Sequence, residues 1–341
     1  MARNSGKITI HDIARVAKVS ASTVSRSFDS ANKHRISEKT RKHVYKVADK
    51  YGYQPNKIAR ALSRGGTDTI ALVLPDVEHS SDSEYCTRVI MRTVAVLGNL
   101  NFDLKIHTLH NDESNCNLSD LLAKFTVDGL IITGFTTQMH FKGSNNNESL
   151  PVAILNGYEI PSATRIDADN IAGGRLAADY FINSNHVNLG MLSGPEYCCN
   201  ARDRENGYRT RLKEAGLKLH EEWFISSDYG EPSGYEGTIK LLKRPSKPTA
   251  LFCANDELAL GAMRAIRECG LKCPEDVSLI GFDNFSAAQH TTPPLTTIEQ
   301  PINTMVDEAI DHLMKIINHK APLKRVVFPI ELVERESVLK L

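Results

Sequence analysis

Residues 9–28 read TIHDIARVAKVSASTVSRSF, and the spacing of their apolar side chains predicts two short helices. Ile10, Ile13, Ala14 and Ala17 fall at i, i+3, i+4 and i+7, one stripe on a helix that starts at about Ile10. Thr9 and Asp12 match the Ser/Thr-x-x-Asp/Glu pattern, in which each side chain takes up the other's backbone N–H. After the break at Ala17-Lys18-Val19, Ser20 is suited to N-cap a second helix with Val24 and Phe28 inward and Ala21, Ser22, Ser25 and Arg26 outward. Two short helices joined by a tight turn form a helix-turn-helix. Taken alone, the spacing fits any pair of capped amphipathic helices.

The surroundings narrow that choice. From the N-cap Ser37 through Tyr51 a third helix is expected, with Val44, Val47, Ala48 and Tyr51 apolar, Lys39, Arg41, Lys42, Lys46 and Lys50 exposed, and Gly52 to end it. The 341 residues hold 41 basic and 41 acidic side chains, but the first 66 carry 15 basic against 4 acidic, leaving 26 against 37 for the rest. The zero net charge is thus a cancellation between a basic head, which can neutralise phosphates, and an acidic body, which phosphates repel. Small side chains at the start of the second helix let its N-terminus approach base edges, while the Ser20 hydroxyl and the first backbone N–H groups can hold a phosphate. Arg26, one turn on, can reach a guanine bidentately.

Residues 53–66, YQPNKIARALSRGG, allow Asn56 to cap a helix of about eight residues, too short to stand alone in water. Composition also fits a plain linker ending in Gly65-Gly66. Lys57, Arg60 and Arg64, with Ala59 and Leu62 one turn apart, fit instead a hinge that folds on docking and wedges apolar side chains into a minor groove.

Beyond Thr69, short apolar runs at 70–74, 103–107, 129–133, 152–155, 187–192, 250–253 and 277–281 alternate with amphipathic helical patterns. Such alternation predicts parallel sheets built from βαβ crossovers. About 270 residues is long for one open sheet and natural for two lobes, with a ligand in the cleft at the carboxyl ends of the strands. Segment 143–149, GSNNNES, is expected to be a surface loop. The division is therefore 1–54 for the all-α helix-turn-helix head, 55–66 for the hinge, and 67–341 for an α/β sensor of two lobes.

Several function classes are disfavoured. The N-terminus lacks the apolar stretch of a signal peptide, and no apolar run reaches the 18 residues of a membrane span. The seven cysteines are odd in number and scattered without CxxC spacing, which fits reduced thiols, no metal site and a cytoplasmic protein. Neither GxGxxG after a strand, GxxxxGK(S/T), GxSxG nor HExxH occurs, so no catalytic residues and no cofactor are expected. Polar residues at strand ends are more informative: Asn255 and Asp256 after 250–254, Asp283 after 277–282, and Arg202 near the start of a helix. Arg with amide or carboxylate acceptors can bind the hydroxyls of a sugar or the edges of a purine. Helix capping would explain Asn255 and Asp256 equally well.

The segments TIHDIARVAKVSASTVSRSF, ISEKTRKHVYKVADKYGYQPNKIARALSRG, PTALFCANDELALGAMRAIRECGL, PEDVSLIGFDNF and PPLTTIEQP stand where the lac repressor and galactose repressor family of bacterial regulators has its helix-turn-helix, hinge and sensor motifs. The chain resembles that family over essentially its full length. The resemblance implies a periplasmic-binding-protein-like sensor and a repressor that binds a palindromic double-stranded DNA operator as a homodimer. It places Ala21, Ser22 and Arg26 at base-reading positions and Leu62 at the operator centre, within a DNA interface of Thr9, Ser20, Thr23, Ser25, Asn56, Lys57 and Ala59. A small-molecule effector, such as a sugar or related metabolite, would meet Arg202, Asn255 and Asp283, with Tyr229 packed on it and Asp169 near the lobe crossing. Lys18 departs from the glycine many members carry in the turn. After Pro75-Asp76 the family often has an aromatic NPFF-like turn, whereas this chain has a polar, acidic wall from Val77 to Tyr85 that includes Ser80 and Asp82. That wall suits an amine-bearing or highly hydroxylated effector, or a pocket without a ligand. No apolar heptads follow Glu336, so no C-terminal coiled coil is expected. The rival classes are a solute-binding protein of transport, opposed by the basic head, and a sugar- or nucleotide-converting enzyme, opposed by the missing catalytic motifs.

Overall fold

The computed structural model describes residues 8–28, 35–54, 66–74, 83–108, 126–134, 150–157, 163–318 and 321–341. The chain divides between Asp68 and Thr69 into two units. Of the expected hinge at 55–66, only Gly66 lies among the described residues.

The head contains α1 (Ile10–Ala17), α2 (Ala21–Ser27) and α3 (Glu38–Lys50). Ile13, Ala14, Ala17, Val24 and Val44 are buried together, and Val19, Phe28, Val47 and Tyr53 pack around them. The Phe28 ring meets Tyr45 and Tyr53 edge-on, at centroid distances of 4.9 and 5.9 Å. Thr9 and Asp12 close the capping box: the Thr9 N–H donates to the Asp12 carboxylate at 3.1 Å, and the Asp12 N–H donates to Thr9 Oγ1 at 3.3 Å. Ser20 and Ser37 cap α2 and α3 through the N–H groups of Thr23 and Thr40. Lys18 adopts the left-handed conformation that the turn demands (φ 54°, ψ 43°), at a cost on the order of 1 kcal/mol for a residue with a Cβ. The Val19 N–H then donates to Ala14 O at 3.0 Å and closes the end of α1.

In the second unit, the strands and helices are β1 (Thr69–Leu74), α4 (Glu84–Leu100), β2 (Asp103–Thr108), β3 (Gly129–Thr133), β4 (Val152–Leu155), β5 (Thr164–Ala168), α5 (Asn170–Asn183), β6 (Leu189–Ser193), α6 (Cys199–Glu214), β7 (Phe224–Ser226), α7 (Glu231–Leu242), β8 (Ala250–Cys253), α8 (Asp256–Glu268), β9 (Ser278–Phe282), β10 (Thr296–Glu299), α9 (Ile302–Ile317), β11 (Arg325–Phe328) and β12 (Glu331–Val333). They build two six-stranded sheets, in the orders β11-β5-β4-β3-β1-β2 and β12-β10-β9-β8-β6-β7. The first is parallel throughout, and the second is parallel except that β12 runs antiparallel to β10, as the expected βαβ crossovers require for the other strands.

Each sheet defines a lobe. Helices α4 and α9 pack on the first, and α5, α6, α7 and α8 on the second. The chain passes between the lobes from β5 to α5, from β10 to α9 and from β11 to β12, so neither lobe is one continuous segment. The strands at 129–133, 152–155 and 250–253 match the sequence expectation residue for residue, and each is fully buried and apolar apart from Thr133 at the end of the first. β5, β7, β10, β11 and β12 were not expected: they are short or carry polar residues, and they form because a neighbouring strand supplies the hydrogen-bonding edge. Helices α5 and α6 lie unusually close, because Gly174 faces the Arg204 carbonyl and Gly207 faces the Ile171 carbonyl, where a Cβ would collide with backbone. Among the described residues, no helix is long and apolar enough to cross a membrane.

Candidate nucleic-acid interface and interlobe cleft

In the head, burial of Val24 and Ser27 fixes which side of α2 faces solvent. Ser22 and Arg26 are exposed, and Ala21, Thr23 and Ser25 are half-buried. Ser20 Oγ accepts the Thr23 N–H at 3.1 Å and also lies 2.8 Å from Ser22 Oγ and 2.9 Å from Thr23 Oγ1, so the helix begins in a hydroxyl cluster. The far end of α2 is pinned from α3, where the Tyr45 hydroxyl donates to Ser27 O at 2.8 Å. Thr9 is exposed at the start of α1, its hydroxyl donating to Asp12 Oδ2 at 2.6 Å. Lys39, Lys42, Lys46 and Lys50 stand exposed on α3, while Arg41 is half-buried. Asn56, Lys57, Ala59 and Leu62 lie outside the described residues.

The second unit holds a buried polar chain that runs from one lobe to the other. In the first lobe, Thr133 Oγ1 at the end of β3 is 2.8 Å from the Tyr85 hydroxyl on α4. That hydroxyl accepts from Asn156 Nδ2 at 3.2 Å, and the same nitrogen donates to Gln300 Oε1 at 3.0 Å. Gln300, between β10 and α9, turns its own nitrogen to Asp283 Oδ1 at the end of β9. Arg204 Nη2 is 3.7 Å from the same oxygen, while its Nε donates to Asn170 Oδ1 at 2.8 Å and its Nη1 to Ala254 O at 2.5 Å. The guanidinium also lies 3.6 Å from the centre of the Phe282 ring.

Burial sets the electrostatics. The Asp283 carboxyl is pushed up to about 6 by loss of solvent, against the opposing pull of Arg204. Its backbone is strained as well, with φ 103° at Asp283 and φ 52° at Asn284, a conformation that persists only where the surroundings enforce it. Asp256 is fully buried and raised above the usual carboxylate range for the same reason; it accepts from Thr297 Oγ1 at 2.5 Å and from the Phe285 N–H at 2.7 Å. Asp167, beside Arg165, is likewise pushed up to about 6 by burial. Burial pushes the adjacent thiols of Cys198 and Cys199 up to about 12 and about 11, which favours their protonated form at neutral pH.

The expected effector residues separate into three groups. Asp283, Asn255 and Tyr229 come together at the carboxyl ends of the second sheet: Asn255 Oδ1 caps α8 through the Leu258 N–H at 2.9 Å, while its nitrogen donates to Tyr229 O at 3.0 Å. Asp169 sits at the first lobe crossing and caps α5 through the Ala172 N–H at 2.9 Å. Ser80 and Asp82 lie outside the described residues. Arg202 requires a correction. It is exposed on α6, lining a surface depression with Glu196, Asp203, Glu205 and Arg209, and the guanidinium that reaches Asp283 is Arg204. Two residues turn a helix by about 200°, so these arginines face opposite ways. The signal was present, because Ala201, Arg204, Tyr208 and Leu212 form the buried stripe of α6 and a charged residue on such a stripe needs a partner. Asn156 and Gln300 were also missed: Asn156 directly follows the expected run 152–155, where the same strand-end logic could have found it, whereas Gln300 follows Thr296–Glu299, too polar to read as a strand.

A helix-turn-helix head followed by a two-lobed α/β unit with a polar interlobe network defines a ligand-responsive DNA-binding regulator. Residues 9–56 match the family described as bacterial regulatory proteins, lacI family, and residues 178–338 match the periplasmic binding protein-like domain. The HTH-type transcriptional repressor PurR of Pasteurella multocida is 34% identical over 335 residues, covering 97% of this chain and 98% of its own. The HTH-type transcriptional regulator DegA of Bacillus subtilis is 34% identical over 337 residues, with the same coverage. Among solved structures, the lac repressor dimer bound to operator and the anti-inducer ONPF superposes with a TM-score of 0.82 at 25% identity, over 98% of this chain and 99% of that one. The complex of the transcriptional regulator CelR with cellobiose gives 0.70 at 27% identity, over 97% of this chain and 100% of that one. The chain belongs to the lacI family of bacterial regulatory proteins, and it is a DNA-binding transcriptional regulator rather than an enzyme.

Proposed function

We propose that this protein is a cytoplasmic repressor that binds a palindromic operator as a homodimer and is controlled by a small-molecule effector held between its lobes. The observation that carries the reading is the geometry of α2: it is capped at Ser20, anchored by Val24 and Ser27, and turns Ser22 and Arg26 to solvent. Ala21, Ser22 and Arg26 read bases, while Ser20, Thr23, Ser25 and Thr9 meet the phosphate backbone. Asn56, Lys57, Ala59 and Leu62 form the hinge contact in the minor groove. Arg204, Asp283, Asn255 and Tyr229, with Asp169 at the crossing, provide donors and acceptors for a hydroxyl-bearing metabolite. The likeness to a repressor bound to its operator and to a regulator bound to cellobiose supports both halves of the reading. Operator half-sites related by a two-fold axis follow from the dimer, because each head presents the same α2.

The test is selection of bound sequences from a random DNA pool by the purified protein, with and without cell extract. An enriched inverted repeat is expected, and a shift in its retention by the extract gives the sign of the effector. Bound sequences with no shared half-site would overturn the reading.

A further inference from the structure

The first turn of α4 reaches across the cleft to the second lobe. Glu84 opens α4 in the first lobe, and its Oε1 accepts the Ser286 N–H of the second lobe at 3.0 Å, with the Ser286 hydroxyl 3.4 Å from both carboxylate oxygens. The exchange is reciprocal: Glu257, in the first turn of α8, accepts the backbone N–H of Glu84 at 2.9 Å. Arg88, one turn along α4, donates to Asn284 O at 3.1 Å and lies 5.3 Å from the centre of the Phe285 ring, while its Nε holds Glu84 Oε1 at 3.1 Å. Ser286 and Asn284 follow β9, Glu257 follows β8 and Glu84 follows β1, so all these groups stand at the strand carboxyl ends that face each other across the cleft.

We propose that Glu84, Arg88 and Glu257 form a clasp that ties the two lobes together at their facing strand ends, so that any widening of the cleft requires the clasp to open. Three features support it. Both chemical senses of the exchange are charge-assisted hydrogen bonds, which are shorter and stronger than neutral ones. The Glu84 and Arg88 side chains are only 29% and 32% exposed, so solvent competes weakly for them. The central groups of the cleft, Asn156, Gln300, Asp283 and Arg204, already take hydrogen bonds from one another, so closure leaves none of them without a partner.

The experiment compares full-length protein with Glu84→Ala and, separately, Glu257→Gln, by amide hydrogen exchange and small-angle X-ray scattering. Loss of a hydrogen bond to a charged group accelerates exchange at the Ser286 N–H by roughly tenfold or more in Glu84→Ala. The Glu84 N–H exchanges faster in Glu257→Gln, and the radius of gyration rises in both variants as the lobes part. Glu257→Gln keeps the size and shape of the side chain and guards against simple misfolding. A radius of gyration unchanged in both variants overturns the clasp, whatever the local exchange rates do. Since no DNA is present in either measurement, failure here is separate from failure of the operator reading.

Discussion

Asn156 Nδ2 donates to Gln300 Oε1 at 3.0 Å, and this bond joins the end of a first-lobe strand to the segment that returns the chain from the second lobe. Gln300 continues the connection to Asp283 and so to Arg204, which places a buried arginine at the end of a relay that starts in the other lobe. A ligand entering the cleft must exchange its own hydrogen bonds for these. Its binding free energy therefore depends on the lobe arrangement, which is what a switch between two states needs.

Arg204→Ala removes the partner of a buried carboxylate, and breaking such a pair costs about 3–5 kcal/mol. Arg202→Ala removes an exposed side chain and should stay within about 0.5 kcal/mol of the parent. Urea unfolding of the two variants side by side measures the contrast, and equal losses would show that the buried network does not hold the lobe together.

Asp283 gives stability a definite pH sign. Its folded value of about 6 lies above the ordinary 3.8, so between these limits the folded state binds more protons than the unfolded state and stability falls as pH rises through that window. Asp283→Asn abolishes this penalty. Relative to wild type, the variant should gain on the order of 1–3 kcal/mol on going from pH 4 to pH 7, read from urea midpoints at several pH values; a difference independent of pH would contradict the assignment.

Arg26→Ala should lower the preference for the selected operator over scrambled DNA by about 1–3 kcal/mol, the discrimination carried by one bidentate contact. Its salt-dependent binding to any duplex should persist, because the α3 lysines remain. Fluorescence anisotropy with both duplexes across a salt series separates the two contributions.

Lys18 sits at φ 54°, where glycine is free of Cβ strain and a β-branched residue is not. Lys18→Gly should leave the head as stable or raise it by up to about 1 kcal/mol, and Lys18→Val should cost more than 1 kcal/mol. Thermal melts followed by circular dichroism of the head signal rank the three proteins, and Val ranking above Gly would mean that the turn is not left-handed in solution.

The head was legible because its signals are local. The Thr9 capping box, the Ser20 and Ser37 caps and the Gly52 stop each act within one or two turns, and the structure places each where the sequence predicts it. Strands buried on both faces were legible for a related reason, since an apolar run such as 129–133 has no other use. What stayed hidden was decided at long range. Thr296–Glu299 and Arg325–Phe328 carry polar side chains and become strands only because Gly281 and Asp167 belong to edges that need pairing. The confusion between Arg202 and Arg204 has the same origin: strand-end logic finds the loop that faces a cleft, but which side of α6 turns inward depends on the approach of α5 at Gly174 and Gly207.

The three chain passages between lobes also set an order of events on the ribosome. β5 pairs with β11, so Thr164–Ala168 remains an open edge of the first sheet until Arg325–Phe328 has been made. At synthesis rates of about 5–20 residues per second, that wait is roughly ten to thirty seconds. The head helices, the last of which ends at Lys50, have no such dependence and can fold long before the sensor that governs them. The nascent chain thus carries a folded helix-turn-helix while an unpaired sheet edge still awaits its partner, and that interval is when a chaperone has most to protect.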